Sequence, residues 1–81
     1  MKVYKIYGQD PTWKLIDIKY NIEDMYEYVC NNYEKNHTTY LIMEADYKDN
    51  SEFPICLIVD EREFLEFKEE YKPKNKIYNK K

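Results

Sequence analysis

Glycine is nearly missing from this chain. The only one is Gly8, so no glycine-rich loop can bring backbone amides up against a phosphate or a dinucleotide. There is likewise one His (His37), one Ser (Ser51) and one Arg (Arg62). A Ser-His-Asp arrangement would have to use Ser51, which stands in an expected turn with no nucleophile elbow around it. Cys30, Cys56 and a single His are too few for a structural zinc site, which takes four closed N or S ligands. A Cys30–His37 nucleophile pair has no supporting motif, and both thiols read as small apolar packing residues. No apolar run approaches the roughly 20 residues that span a bilayer. Met1–Lys5 lacks the apolar core and the cleavage site of a secretory signal. The expectations are therefore no enzyme activity, no metal, no cofactor, no membrane, and a cytoplasmic location in which thiols stay reduced.

Two short patterns carry little. Asn36-His37-Thr38 matches a glycosylation triplet, which has no meaning in a cytoplasmic protein. Residues 46–52 collect oxygen ligands but lack the central Gly and the span of a helix–loop–helix calcium site, so a plain hairpin turn is the better reading.

What the chain does have is aromatic and charged residues. Its 81 residues fit one small domain, 43% hydrophobic and 17% aromatic, with ten tyrosines. That is too rich in aromatics for a disordered polar chain. Val3–Tyr7 and Trp13–Tyr20 read as strands around a turn at Gly8-Gln9-Asp10-Pro11-Thr12. In the second strand, strict alternation puts Ile16, Ile18 and Tyr20 on one face and Trp13 and Leu15 on the other. Ile22, Met25, Tyr26, Val29, Cys30 and Tyr33 then recur with helical period, and Asn21 stands at the N-cap. This helix is expected to fade near Lys35-Asn36, with Asn36 as the left-handed residue. Thr38–Ala45 and Phe53–Val59 are the third and fourth strands. The unbroken run Ile55-Cys56-Leu57-Ile58-Val59 suggests a central strand, with Pro54 at its first turn or at a bulge. Asp60 caps a second helix whose inner face carries Phe64, Phe67, Lys68 and Tyr71 and which must stop before Pro73.

Both halves thus read strand, strand, capped helix, and the helix starts superpose at an offset of 39 residues (Tyr20-Asn21 on Val59-Asp60). The fold expected is α+β: one small domain in ββαββα order, a four-stranded antiparallel sheet with two helices packed on one face. The domain covers residues 1–71, and residues 72–81 form a basic, flexible tail.

Charge is divided unevenly. Residues 1–71 hold all 16 acids against eight bases, a balance of −8, whereas the last ten residues hold five lysines and no acid. Glu23, Glu27 and Glu34 fall on or near the solvent side of the first helix, and Glu63, Glu66, Glu69 and Glu70 on that of the second. Four helical residues rise about 6 Å, so each helix would present regularly spaced carboxylates. Tyr28 lies outside the buried stripe, and Tyr4, Tyr7, Tyr40 and Tyr47 exceed what so small a core holds; exposed Tyr is a common contact residue.

The leading expectation is a small acidic, non-enzymatic protein-binding module that meets a basic protein surface through Glu23, Glu27, Tyr28, Glu34, Glu63, Glu66, Glu69 and Glu70. Compact acidic chains with this Tyr-, Lys-, Asn- and Ile-rich usage suit a phage or mobile-element inhibitor that occupies a nucleic-acid-binding surface of a host or defence protein. One alternative is a nucleic-acid binder using Lys72, Lys74, Lys76, Tyr78, Lys80 and Lys81. The other is a self-associating structural subunit, a homodimer joined through an exposed edge at Val3–Tyr7 or Leu41–Ala45.

Overall fold

A computed structural model describes residues 2–9, 11–46, 48 and 51–73. In chain order the elements are strands β1 (Lys2–Gln9) and β2 (Trp13–Lys19), helix α1 (Ile22–Asn36), strands β3 (Tyr40–Asp46) and β4 (Glu52–Ile58), and helix α2 (Glu61–Tyr71). The four strands form one antiparallel sheet in the order β2-β1-β3-β4. This is the α+β arrangement expected, with two hairpins joined through their first strands.

Capping chemistry starts both helices. Asn21 Oδ1 accepts the Asp24 amide at 2.8 Å, and Asp60 Oδ1 accepts the Glu63 amide at 3.1 Å. Each bond satisfies one of the amides a helix start leaves unpaired, worth about 1 kcal/mol. At the end of α1 the left-handed residue is His37 (φ 53°), not Asn36, which stays helical. The His37 amide donates to the Tyr33 carbonyl at 2.8 Å, and its ring lies 4.9 Å from that of Tyr33. His tolerates this backbone region better than most residues, and the ring contact helps hold it there.

The core lies between the helices and one side of the sheet. Tyr4 and Ile6 of β1, Tyr40 and Ile42 of β3 and Ile58 of β4 meet Met25, Val29 and Tyr33 of α1 and Phe64 and Phe67 of α2. The two helices touch through stacked rings, Tyr33 on Phe64 at 4.3 Å and Tyr26 on Phe67 at 5.6 Å. The buried Tyr40 donates its hydroxyl to Asn36 Oδ1 at 3.1 Å, and the half-buried Tyr71 donates to the Ile55 carbonyl at 3.3 Å. Among the described residues no buried side-chain polar atom lacks a partner.

Two sequence-based placements change. β4 is an edge strand, although its run of apolar residues suggested a central one. The register between β3 and β4 shifts at Ile42/Met43, where Ile55 has no opposite residue. Ile55 and Cys56 therefore both pack toward the core, while Leu57 is left 46% exposed. Pro54 pairs with Met43 beside this bulge, as a residue without an amide donor should. The second change concerns β1 and β3, which were expected to offer an edge for self-pairing. They are the two inner strands, and each is hydrogen-bonded on both sides.

The two halves match more closely than their helix starts alone suggested. The β1–β2 register shifts at Ile6/Tyr7, where Ile16 is the unpaired residue. Ile16 lies 39 residues before Ile55, the same offset that aligns the caps. Ile6 and Ile42, which flank the two bulges, also face one another across β1 and β3. The molecule is thus a structural repeat of two bulged ββα units about that central pair. The bulge also re-aims β2: Ile18 pairs with Lys5 on the same side as Leu15 and Trp13, not with Ile16.

Of the hairpin turn expected at residues 46–52, positions 47, 49 and 50 lie outside the described residues; the others are consistent with it. The Asp46 amide donates to the Ser51 carbonyl at 3.1 Å, and Asp46 Oδ1 accepts the Lys48 amide at 2.8 Å.

Candidate interaction surface

Formal charge separates by layer. The four strands carry four lysines and four acids and sum to zero, whereas the two helices carry nine acids against three bases. The strand charges are largely paired: Lys2 bonds Glu44, Lys5 Nζ lies 2.5 Å from Glu52 Oε2, and Lys19 Nζ 3.2 Å from Asp17 Oδ2. Among the described residues no helix carboxylate takes part in an ion pair. Two lysines also lie over aromatic rings. Lys68 Nζ sits 5.1 Å from the centre of the Phe64 ring, and Lys19 Nζ 5.0 Å from that of Tyr28.

Of the residues named from the sequence, Glu23, Glu27, Glu34, Glu66, Glu69 and Glu70 are exposed on the outer faces of α1 and α2. Asp24 and Glu61, not singled out above, belong with them. Glu63 is turned back, half-buried, to accept the Val59 amide at 2.8 Å, so it closes the helix start and is not a free surface charge. Tyr28 is half-buried against the core under Lys19. Other tyrosines behave alike: Tyr4 and Tyr40 are buried, Tyr7 is half-buried, and only Tyr20 is exposed among those described. A phenol can sink its ring and leave its hydroxyl at the rim, which is why the surface is acidic without being tyrosine-rich. In the tail, Lys72 is exposed; Lys74, Lys76, Tyr78, Lys80 and Lys81, like Tyr47, lie outside the described residues.

A shallow groove of about 310 Å³ runs beside α1, lined by Glu23, Asp24, Tyr26, Glu27, Cys30, Asn31 and Pro73. Cys30 is half-buried, and burial raises its pKa above that of a free thiol. Burial pushes Cys56 further, up to about 11, with Glu70, Glu63 and Glu66 adding to the shift. Both thiols therefore stay protonated near neutral pH and are poor nucleophiles. Among the described residues no three His, Cys, Asp or Glu side chains are arranged to hold a metal ion. No helix among them is long and apolar enough to cross a membrane.

The second surface was not anticipated. On the side of the sheet away from the helices stand Val3, Lys5 and Tyr7 of β1, Leu41, Met43 and Ala45 of β3, Trp13, Leu15 and Ile18 of β2, and Pro54 and Leu57 of β4. The one ion pair there, Lys5–Glu52, crosses over β3, and the Tyr7 hydroxyl lies 3.5 Å from the same carboxylate. The signal available beforehand was that β1 and β3 are apolar at both parities, where a sheet with one wet face normally alternates. Comparison with known proteins adds no further constraint: no protein-family model matches the chain, and no curated protein or solved structure is significantly similar to it.

Proposed function

We propose that the protein is a small, non-enzymatic binding module whose acidic helix layer docks on a basic surface of another protein. One observation carries this reading. Nine helix acids stand against three helix bases, and among the described residues none of these carboxylates forms an ion pair. Unpaired carboxylates of one sign steer a positively charged partner and set its orientation. Their like-charge spacing costs stability, as in Glu23–Glu27 and Glu66–Glu70, about 0.2–0.5 kcal/mol a pair. A function that uses the acids gives a reason to bear that cost. A nucleic-acid-binding groove on a host or defence protein is the class of basic surface that fits, and occupying it would make the module an inhibitor of phage or mobile-element type. The non-enzymatic part of the reading rests on the two thiols, whose pKa burial raises.

The test is affinity capture from a low-GC bacterial lysate, comparing the native chain with a variant carrying E23Q, E27Q, E66Q and E70Q. It is run at about 0.05 M and about 0.5 M salt, between which the screening length falls from roughly 14 to 4 Å. Basic proteins held by the native chain at low salt, and lost both in the variant and at high salt, are the result expected. Capture that is indifferent to the four substitutions contradicts the proposal. Binding of single-stranded oligonucleotide that disappears on deleting residues 72–81 would replace it with the nucleic-acid reading.

A further inference from the structure

We propose that the open side of the sheet is a homodimer interface, two copies packing sheet against sheet. Trp13 and Leu15 on β2 and Leu57 on β4 are 41–46% exposed on this side, with Leu41 and Met43 between them. An antiparallel sheet that ends in water normally shows polar residues there. Contiguous apolar patches of this kind mark protein contacts.

Charge selects a second copy as the occupant. The chain up to residue 71 has a balance of −8, but among the described residues the charges on this face near the apolar residues are one lysine and one glutamate, Lys5 and Glu52, paired with each other. A face of zero net charge does not repel its own copy. Packed sheets lie about 10 Å apart, and each helix layer lies about 10 Å further out. The two acidic layers are then separated by about 30 Å, roughly three screening lengths at 0.1 M salt. A two-fold axis also offers Lys5 of each copy the Glu52 of the other, so the single ion pair becomes a closed, self-complementary set. A basic partner gains little here, because the acids it would seek are on the far side.

Size sets the strength. Four strands spaced about 4.8 Å apart, each about 23 Å long, give a footprint of about 440 Å² per copy. The total, about 880 Å², falls below the roughly 1,200–2,000 Å² of stable specific interfaces and into the range of weak, transient ones. A weak, reversible dimer, dissociated at about 1 µM and forming at roughly 100 µM, is therefore expected, not an obligate one. Closure by the two-fold uses up the face and leaves no apolar surface to recruit a third chain.

Sedimentation equilibrium of the full chain, from about 1 to about 500 µM, decides the matter. The expected result is a monomer–dimer equilibrium that persists in 1 M salt. L15K and L57K, both at exposed positions, should each weaken it at least about 10-fold. E66Q/E70Q should leave it unchanged. Circular dichroism melts of L15K and L57K confirm that they remain folded, and a blue shift of Trp13 fluorescence with concentration gives a second readout. A single-chain mass at every concentration overturns the proposal. So does a dimer that survives both lysine substitutions, because association would then use another surface.

Discussion

On the helix side of the sheet, Tyr4, Ile6, Tyr40, Ile42 and Ile58 are buried beneath the aromatic rings of α1 and α2. On the other side, Tyr7, Leu41 and Met43 are no more polar but only half-buried, Val3 and Ala45 are 3% exposed, and Leu57 toward the sheet edge is 46% exposed. The difference between the two sides is therefore one of cover, not of composition. A domain this size buries only about 60% of its unfolded surface, and two short helices suffice to shield one side. The outer helix surface is a third environment, with exposed and unpaired carboxylates. Apolar character alone thus does not identify the core; what lies over a residue does.

Truncation on the two sides should separate them most strongly. Phe67→Ala removes a side chain that is 1% exposed and packed on Tyr26 and Tyr71, and should cost roughly 3–5 kcal/mol. Leu57→Ala on the uncovered side should cost about 1 kcal/mol or less at concentrations where the chain is monomeric. Denaturant melts give both values, and similar losses at the two positions would erase the distinction.

Alkaline pH probes the covered side without mutation. Cys56, at about 11, and Tyr33 and Tyr40, both raised by burial, hold their protons in the folded chain more tightly than in the unfolded one. Above about pH 9 the unfolded chain releases protons that the folded chain keeps, so stability falls as pH rises. Urea melts between pH 8 and 10.5 should show that decline. Cys56 should also alkylate slowly at pH 8, gaining reactivity only as the pH approaches its raised value. Rapid modification of the folded chain at pH 8 would mean the β4 thiol is not covered.

The smallest effect belongs to the helix surface. Glu27→Gln and Glu66→Gln each remove a like-charge pair and should raise stability by about 0.2–0.5 kcal/mol. Their thermal midpoints should rise slightly while any capture of basic proteins declines. A fall in midpoint would mean these carboxylates have partners.

What could be read from the sequence was what depends on neighbours in the chain. Helical period and caps located α1, α2 and most of their buried stripes and exposed glutamates, Ile22 and Glu63 excepted, because Asn21 and Asp60 act within three residues of themselves. Strand order could not be read in this way, since the apolar run of β4 suits an inner strand and an edge equally. The bulge at Ile16 leaves no mark in the sequence and that at Ile55 only the neighbouring Pro54, yet each shifts the parity of its strand. Ile18 changed sides for that reason, and the open apolar face became visible only when four strands were in register. The tyrosines were misjudged for a different cause. Counting them as polar surface overlooked that the rings of Tyr4 and Tyr40 can join that of Tyr33 in filling the core.

Hydroxyl-radical footprinting at about 1 µM, well below the dimer range expected for so small an interface, tests the two-sided sheet most directly. Trp13, Leu15 and Leu57 should be oxidised heavily while Phe64 and Phe67 are protected. Equal protection of Trp13 and Leu57 in the monomer would contradict an uncovered side, and oxidation of Phe64 or Phe67 would contradict the helix cover.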